Sequence, residues 1–505
     1  MDTKMIARGI MLSLLVMFCL VTLCPAVCPG GTIAESAEKP AVVRLWNWNI
    51  HDKKYQQSMY NLFNKRHKDI KIEYSSISNT VYDQTLEAAF AAKEPPDIFL
   101  PSGRLTFEYL RSKGWIMPLN DCAPSERELK DWMDKFPPHL YKFIEGISVF
   151  NGKVYVVDTK GESGAPGFPL YYNKTLFKLA GIGSPPSTYS ELRRAAAKIT
   201  QAGQGKYFGI VHGLRYIKGV WHQDIAGSLA RAAGIDGVGG PDWGPDARDG
   251  KYHHASPEHI NALKVWIGMR EDGSVHPGEM TMDDEQAKMA FANNKAAMFF
   301  GGDWVVGNVL AYNPDCDFDL VLAPTPDDGI RRDFYHIGPG GQFGYVVSSF
   351  TKNPRAVWEV IKFICSLEYQ EGYVKGGYGI SYLPEANKPE NFKIPQLYRF
   401  VQWANDPALR RFAPIARPNT RRVVEEFMPG IYPTYHDVME AVYLGKAGFE
   451  ALKDLDDRCN AALDAGIKRA QESGIKVTRD DFCFPDWVRG KDYEPTLRAL
   501  GLLKK

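Results

Sequence analysis

The stretch Trp46-Asn47-Trp48-Asn49-Ile50-His51 sets two indoles, two amides and an imidazole side by side. Planar amides bond pairs of hydroxyls, and aromatic faces pack on apolar C–H surfaces, so this set suits a polyhydroxylated ligand. One indole is expected under the core and Trp48 at the site with Asn49 and His51. Other residue types argue against particular chemistries. Gly338-x-Gly340 has Phe343 where a dinucleotide fingerprint needs its third glycine, and it precedes a strand. Gly161-Glu162-Ser163-Gly164-Ala165 misses the nucleophile-elbow pattern at its last residue. His253-His254 lacks the helical spacing of a zinc pair, and Asp242, Asp246 and Asp249-Gly250 depart from a calcium-loop spacing. Neither a metal nor a cofactor is expected. Paired carboxylates can meet in space from anywhere in a chain, so a secreted carbohydrate-active enzyme stays as an alternative.

Those residues need elements to position them. Val42–Trp46 reads as a strand, Tyr55, Met59, Leu62 and Phe63 as one face of a helix, and Ile70, Ile72 and Tyr74 as an alternating strand. Helices near Tyr82–Ala92 and before Gly114 flank a buried strand, Asp97–Leu100. Lys153–Val157 would carry the chain into a second lobe, where Leu170–Tyr172, Tyr207–Val211 and Ala296–Phe300 are strands. Asn173 caps a short helix; Thr188 and Glu191 form a capping box ahead of an apolar stripe, Leu192, Ala195, Ala196 and Ile199. Residues 234–256 read as an inserted loop, and Phe318–Leu322 as a strand leading back to the first lobe. Tyr345–Ser348 and a helix opened by Asn353-Pro354 follow, then one long helical region, His436–Gln471. Alternating strands and helices predict an α/β fold with mixed sheets flanked by helices. Ligands in such folds sit beyond the carboxyl ends of strands, here a cleft between lobes, which also makes His212, Trp221 and His222 candidates.

The totals are those of a soluble globular chain: 505 residues, 44% hydrophobic, 24% charged, with an aromatic share of 12% that fits ring-walled sites. Removing residues 1–34, which carry Asp2, Lys4 and Arg8, leaves 59 basic and 59 acidic side chains (61 less 2, 60 less 1), so no nucleic-acid partner is indicated. Lys4 and Arg8 precede the apolar run Gly9–Leu23, the shape of a secretory signal peptide cleaved near Ala34. Leu23 and Val27 stand where lipoprotein processing at Cys24 or Cys28 wants a small residue, which disfavours a lipid anchor. Cys122, Cys316, Cys365, Cys459 and Cys483 remain, an odd number with no Cys-x-x-Cys pair.

The wording of several stretches is more specific than their physics. Tyr171-Tyr172-Asn173-Lys174, Ala180-Gly181-Ile182 and Pro185-Pro186-Ser187-Thr188 resemble family 1 of the bacterial extracellular solute-binding proteins. So, in order, do Leu62-Phe63-Asn64 to Tyr74, Pro96-Asp97-Ile98-Phe99, Asn151-Gly152-Lys153, Asn294-Lys295-Ala296-Ala297-Met298 with Gly302-Asp303-Trp304, and Thr351-Lys352-Asn353-Pro354. The resemblance covers about residues 42–370. It implies a two-lobed, type II periplasmic-binding-protein fold with a hinge of crossover strands. The lobes would be 35–155 with 323–371, and 156–322 with 372–505, residues 472–505 being an extra tail. It implies a carbohydrate ligand, an ABC-importer permease as partner, a periplasmic monomer and no enzymatic activity; a non-sugar solute such as a polyamine, iron or an organic acid is the alternative. It adds Ser102, Arg104, Glu162, Tyr172, Asp303, Trp304, Gly341, Gln342, Tyr378 and Arg417 to the site, with Asp303 capping the helix that aims Trp304 into the cleft.

Overall fold

The computed structural model describes residues 39–505, apart from 50, 103, 138–142, 160–167, 216–220, 236, 239–243, 333–343, 407–408, 410–416, 418, 489–492, 494–497 and 499–505, and apart from the side chains of 79–80 and 221–224. The leader and its cleavage point lie outside these residues.

Strand β1 (Ala41–Asn47) buries Val43, Leu45 and Asn47 on one face, and helix α1 (Lys53–Arg66) covers it with Met59, Tyr60 and Phe63. Strand β2 (Ile70–Ser76) runs parallel to β1, Ala41 opposite Ile70 and Asn47 opposite Ser76. Helix α2 (Asn79–Ala91) leads to β3 (Ile98–Phe99), parallel to β1 on its other side, and α3 (Phe107–Ser112) leads to β4 (Ile116–Met117). Helix α4 (Glu126–Met133) and a small hairpin, β5 (Val149–Phe150) with β6 (Lys153–Val154), follow. Lys153–Val157 is therefore not one crossing strand; beyond β6 only Val157 pairs, with Tyr345.

The second sheet begins at β7 (Leu170–Asn173). Asn173 accepts from the Leu176 N–H at 2.9 Å and so caps α5 (Lys174–Leu179). Thr188 caps α6 (Tyr189–Gly203) by accepting from the Glu191 N–H, and the Glu191 carboxylate bonds Ser187. Strand β8 (Phe208–Ile210), a π-helical segment (Trp221–Ala230), α7 (Pro257–Glu271) and α8 (Asp284–Ala292) precede β9 (Ala296–Phe300), which is buried throughout. Helix α9 (Trp304–Tyr312) and β10 (Phe318–Val321) complete a sheet ordered β10-β7-β9-β8.

The chain then returns. Strand β11 (Val346–Ser348) inserts antiparallel between β3 and β4, giving the first sheet the order β2-β1-β3-β11-β4. Helix α10 (Pro354–Ile364) packs Val357, Val360, Ile361 and Ile364 beneath it. Helix α11 (Leu367–Lys375) still packs Tyr369 and Val374 into that core, and α12 (Pro395–Ala404) packs against the second. Residues Thr420–Arg422 run into π-helical turns Val423–Phe427. The expected single long helix is two: α13 (Tyr435–Tyr443), opened by a Thr434–Asp437 capping box, and α14 (Glu450–Glu472). The two sheets have separate cores, β1 and its neighbours around Trp358 and Tyr60, β7–β9 around Trp266 and Phe300. Burying each such aromatic contributes about 1.5–3 kcal/mol over leaving it exposed.

Candidate ligand-binding site

The end of β1 builds one wall. Asn47 is fully buried; its amide donates to Gln56 at 2.9 Å and to the Tyr345 hydroxyl at 2.7 Å. Its carbonyl oxygen accepts from the Tyr74 hydroxyl and the Asn49 N–H, both at 3.1 Å. Asn47 is thus the organiser of the loop. Trp46 and Trp48 are both half-buried, correcting the expectation of one indole fully inside. Trp48 stands edge-on to Tyr82 at 5.1 Å, and His51 lies 3.9 Å from the buried Asp52 that opens α1.

From α1, the Tyr55 ring stacks on Tyr378 at 5.2 Å and meets Tyr373 at 6.1 Å. Its hydroxyl donates to the Tyr369 carbonyl. A Cβ at Gly372 would lie 2.6 Å from that hydroxyl, so α11 approaches α1 closely there. The same segment reaches the second lobe. The Asp303 Oδ2 accepts from the Ile380 N–H at 3.1 Å, and a Cβ at Gly379 would lie 2.9 Å from that oxygen and 3.0 Å from the Tyr373 hydroxyl. Burial pushes the Tyr373 hydroxyl well above its ordinary range, and the charges of Asp52 and Asp303 push further. Burial and then Asp52 likewise raise Tyr378.

Asp303 does not cap α9, because its backbone is helical and its side chain is turned to Ile380. Trp304 still occupies the first position of that helix. The ring folds over Gly302, where an added Cβ would be 2.1 Å away, and meets Phe168 edge-on at 5.9 Å. Asp303 and Tyr378 thus meet at residues 372–380 with Tyr55 and Tyr373, which sequence reasoning missed, while Trp304 adjoins Asp303 in sequence and His51 adjoins Asp52, also missed, at the start of α1. Their signal was the run of tyrosines at 369, 373, 378 and 382, legible only once α1 and α9 were placed beside it.

Several candidates sit elsewhere. His212 is interior to the second lobe, flat on Trp266 at 4.4 Å and 2.8 Å from Glu279. Burial raises the Glu279 carboxyl, but bonds from His212 and the Tyr443 hydroxyl outweigh it and hold it below its usual range. The residue following β8 turned inward because its ring found a carboxylate there. Arg417 donates to the Asp480 carbonyl at 2.7 Å and lies over Phe484, so the tail occupies its guanidinium. Arg104 is exposed, 3.6 Å from Glu87, and the Ser102 hydroxyl accepts from the Leu105 N–H within its own turn. Tyr172 packs on Phe177 opposite Met298, while Tyr171 bonds the Gly302 carbonyl from the core. Trp221 and His222 lie on the π-helical segment with side chains outside the described set, as do Glu162, Gly341 and Gln342 entirely. Among the described acids of the inserted loop, Asp246 is engaged by Arg248 and Asp249 by His253, while Asp242 lies outside the described residues. Among the described residues no three His, Cys, Asp or Glu side chains are grouped to hold a metal, and no helix is long and apolar enough to cross a membrane.

The architecture recurs in solved proteins. An ABC-transporter solute-binding protein of Thermotoga lettingae bound with alpha-D-tagatose superposes with a TM-score of 0.61 at 20% identity, covering 84% of this chain and 100% of that one. The maltose/maltodextrin-binding domain of Bdellovibrio bacteriovorus, bound to maltotriose, gives 0.59 at 17% identity over 85% and 100%. A chitin oligosaccharide binding protein gives 0.59 at 21% over 85% and 99%. This is the type II periplasmic-binding-protein fold. In sequence, a relative from Brucella abortus (strain 2308), named only as a binding protein, is 22% identical over 415 residues, 81% of this chain and 90% of its own. With two sheets bridged at residues 372–380 and the model of the bacterial extracellular solute-binding proteins matching residues 47–371, over half its length, the chain belongs to that family.

Proposed function

We propose that this protein captures a mono- or oligosaccharide between its two lobes and delivers it to the permease of an ABC importer. The observation that carries the reading is the seam at residues 372–380, where Tyr55 of the first lobe stacks on Tyr378 and Asp303, the neighbour of Trp304, accepts from the Ile380 N–H. Rings pack the apolar faces of a sugar, and carboxylates accept from its hydroxyls. That three fold relatives are described with tagatose, maltotriose and chitin oligosaccharides supports the same class here. The mature chain begins near Glu35 as a periplasmic monomer, its lobes meeting at residues 156, 323 and 372. It binds rather than turns over its ligand, as the family does.

A cationic solute such as a polyamine is the second reading, favoured by the negative charges of Asp52 and Asp303, both of which raise the Tyr373 hydroxyl. Thermal unfolding with saccharides, polyamines and organic acids separates the two. A true ligand at a hundred times its dissociation constant adds about 2.7 kcal/mol. Stabilisation by a saccharide, recovered chemically unchanged, supports the proposal; stabilisation by spermidine alone refutes it, as does appearance of shorter sugars.

A further inference from the structure

Away from residues 372–380 the lobes meet again through buried charge. Arg421, 4% exposed, donates through Nη1 to the Ile147 carbonyl of the first lobe at 2.6 Å. Its guanidinium lies 4.3 Å over the Phe107 ring. Its Nε also donates to Glu425 at 2.7 Å, and Glu425 in turn accepts from the Glu108 N–H in the first turn of α3 at 3.2 Å. Glu108, wholly buried, pairs with Arg111 at 2.8 Å. Two carboxylates and two guanidiniums thus cancel across the boundary. A charge withdrawn from water is tolerated only while its partners stay in place, so this cluster resists separation or sliding of the lobes.

The second-lobe half of the cluster is held from behind by the tail. Thr420 starts its helix with its hydroxyl bonded to the Arg417 carbonyl at 2.7 Å. Arg417 is fixed by Asp480 and Phe484, and the Asn419 amide donates to the Lys476 carbonyl at 3.3 Å. The tail is tied down in turn. The Phe484 N–H donates to the Ala247 carbonyl at 2.6 Å, and Arg479 donates to the Gly250 carbonyl at 2.7 Å while pairing with Asp464 of α14. Residues 476–484 and the inserted loop thereby brace Thr420–Phe427 against the first lobe.

We propose that Arg421 is a positioning residue which, with Glu425, Glu108 and Arg111, fixes the angle between the lobes, and that the tail braces it through Arg417. The proposal needs no sugar, so it stands or falls apart from the carbohydrate reading. The test is small-angle scattering of the ligand-free full chain carrying Arg421→Met, Glu425→Gln, Arg417→Met or, as control, Arg422→Met. Arg422 pairs with Glu426 one turn on, inside its own helix. Expected are a larger radius of gyration and a broader distance distribution for Arg421→Met and Arg417→Met, with far-ultraviolet circular dichroism unchanged and Arg422→Met superimposing on the parent. Should Arg421→Met fail to fold, Glu425→Gln, which keeps size and an acceptor, carries the same expectation. Scattering identical to the parent for the folded variants overturns the proposal, as does an equal change in the Arg422→Met control.

Discussion

Trp304 is the residue on which affinity should turn. It opens α9 half-exposed, with one edge against Phe168 and its face over the Gly302 backbone. A ring stacked on a sugar contributes roughly 1 kcal/mol beyond the area it covers. Trp304→Ala is therefore expected to weaken saccharide binding about tenfold, since 1.4 kcal/mol is one decade. Isothermal calorimetry on both proteins checks it, and unchanged affinity with a large loss of stability would return the ring to the core. His259 sets a different dependence. It is fully buried in α7; burial first, then the neighbouring His254, lower its pKa to about 4 from 6.5. A depressed value means the fold holds the neutral ring. The associated stability is complete above about pH 6.5 and drains as pH falls towards 4, about 3 kcal/mol in all. His259→Asn keeps a donor for the His254 carbonyl but cannot titrate. Its unfolding midpoint should fall less steeply than the parent's across that window, and parallel curves would count against the assignment.

At the scale of elements, the packing of β8 on α6 hangs on Gly209. A Cβ there would lie 2.3 Å from the Ala196 carbonyl oxygen, a backbone atom that cannot swing aside. Gly209→Ala should cost about 1–3 kcal/mol by overpacking, read as a lower urea midpoint with an unchanged slope. A variant as stable as the parent would mean that the strand and helix have room to part. Caps and stripes such as Asn173, Thr188 and the α6 face were legible because their partners lie within one turn of chain. His212 and Arg417 were not, because their partners stand 67 and 63 residues away. Between α13 and α14 the apolar pattern runs on, and only the Gly445 turn, with φ of 69°, breaks the helix. Half of the proposed site carries a signal in the sequence. Trp304 and Tyr378 carry sequence signals, whereas Asp52, Tyr55 and Tyr373 matter only because α1, α9 and α11 meet.

For the whole molecule, the two cores stay separate while the chain passes between sheets after β6, after β10 and after α11. Passages of that kind let two rigid lobes rotate about a shared line while each core stays intact. The ring-and-carboxylate site lies along one passage and the Arg421 cluster beside α3, so ligand and latch act on the same angle. The central claim is that a sugar is held between the lobes rather than on one of them. Small-angle scattering of the full mature chain, alone and saturated with the saccharide that most raises its unfolding midpoint, tests this most directly. A smaller radius of gyration on binding is the expected result; superimposable profiles under saturating sugar would contradict it.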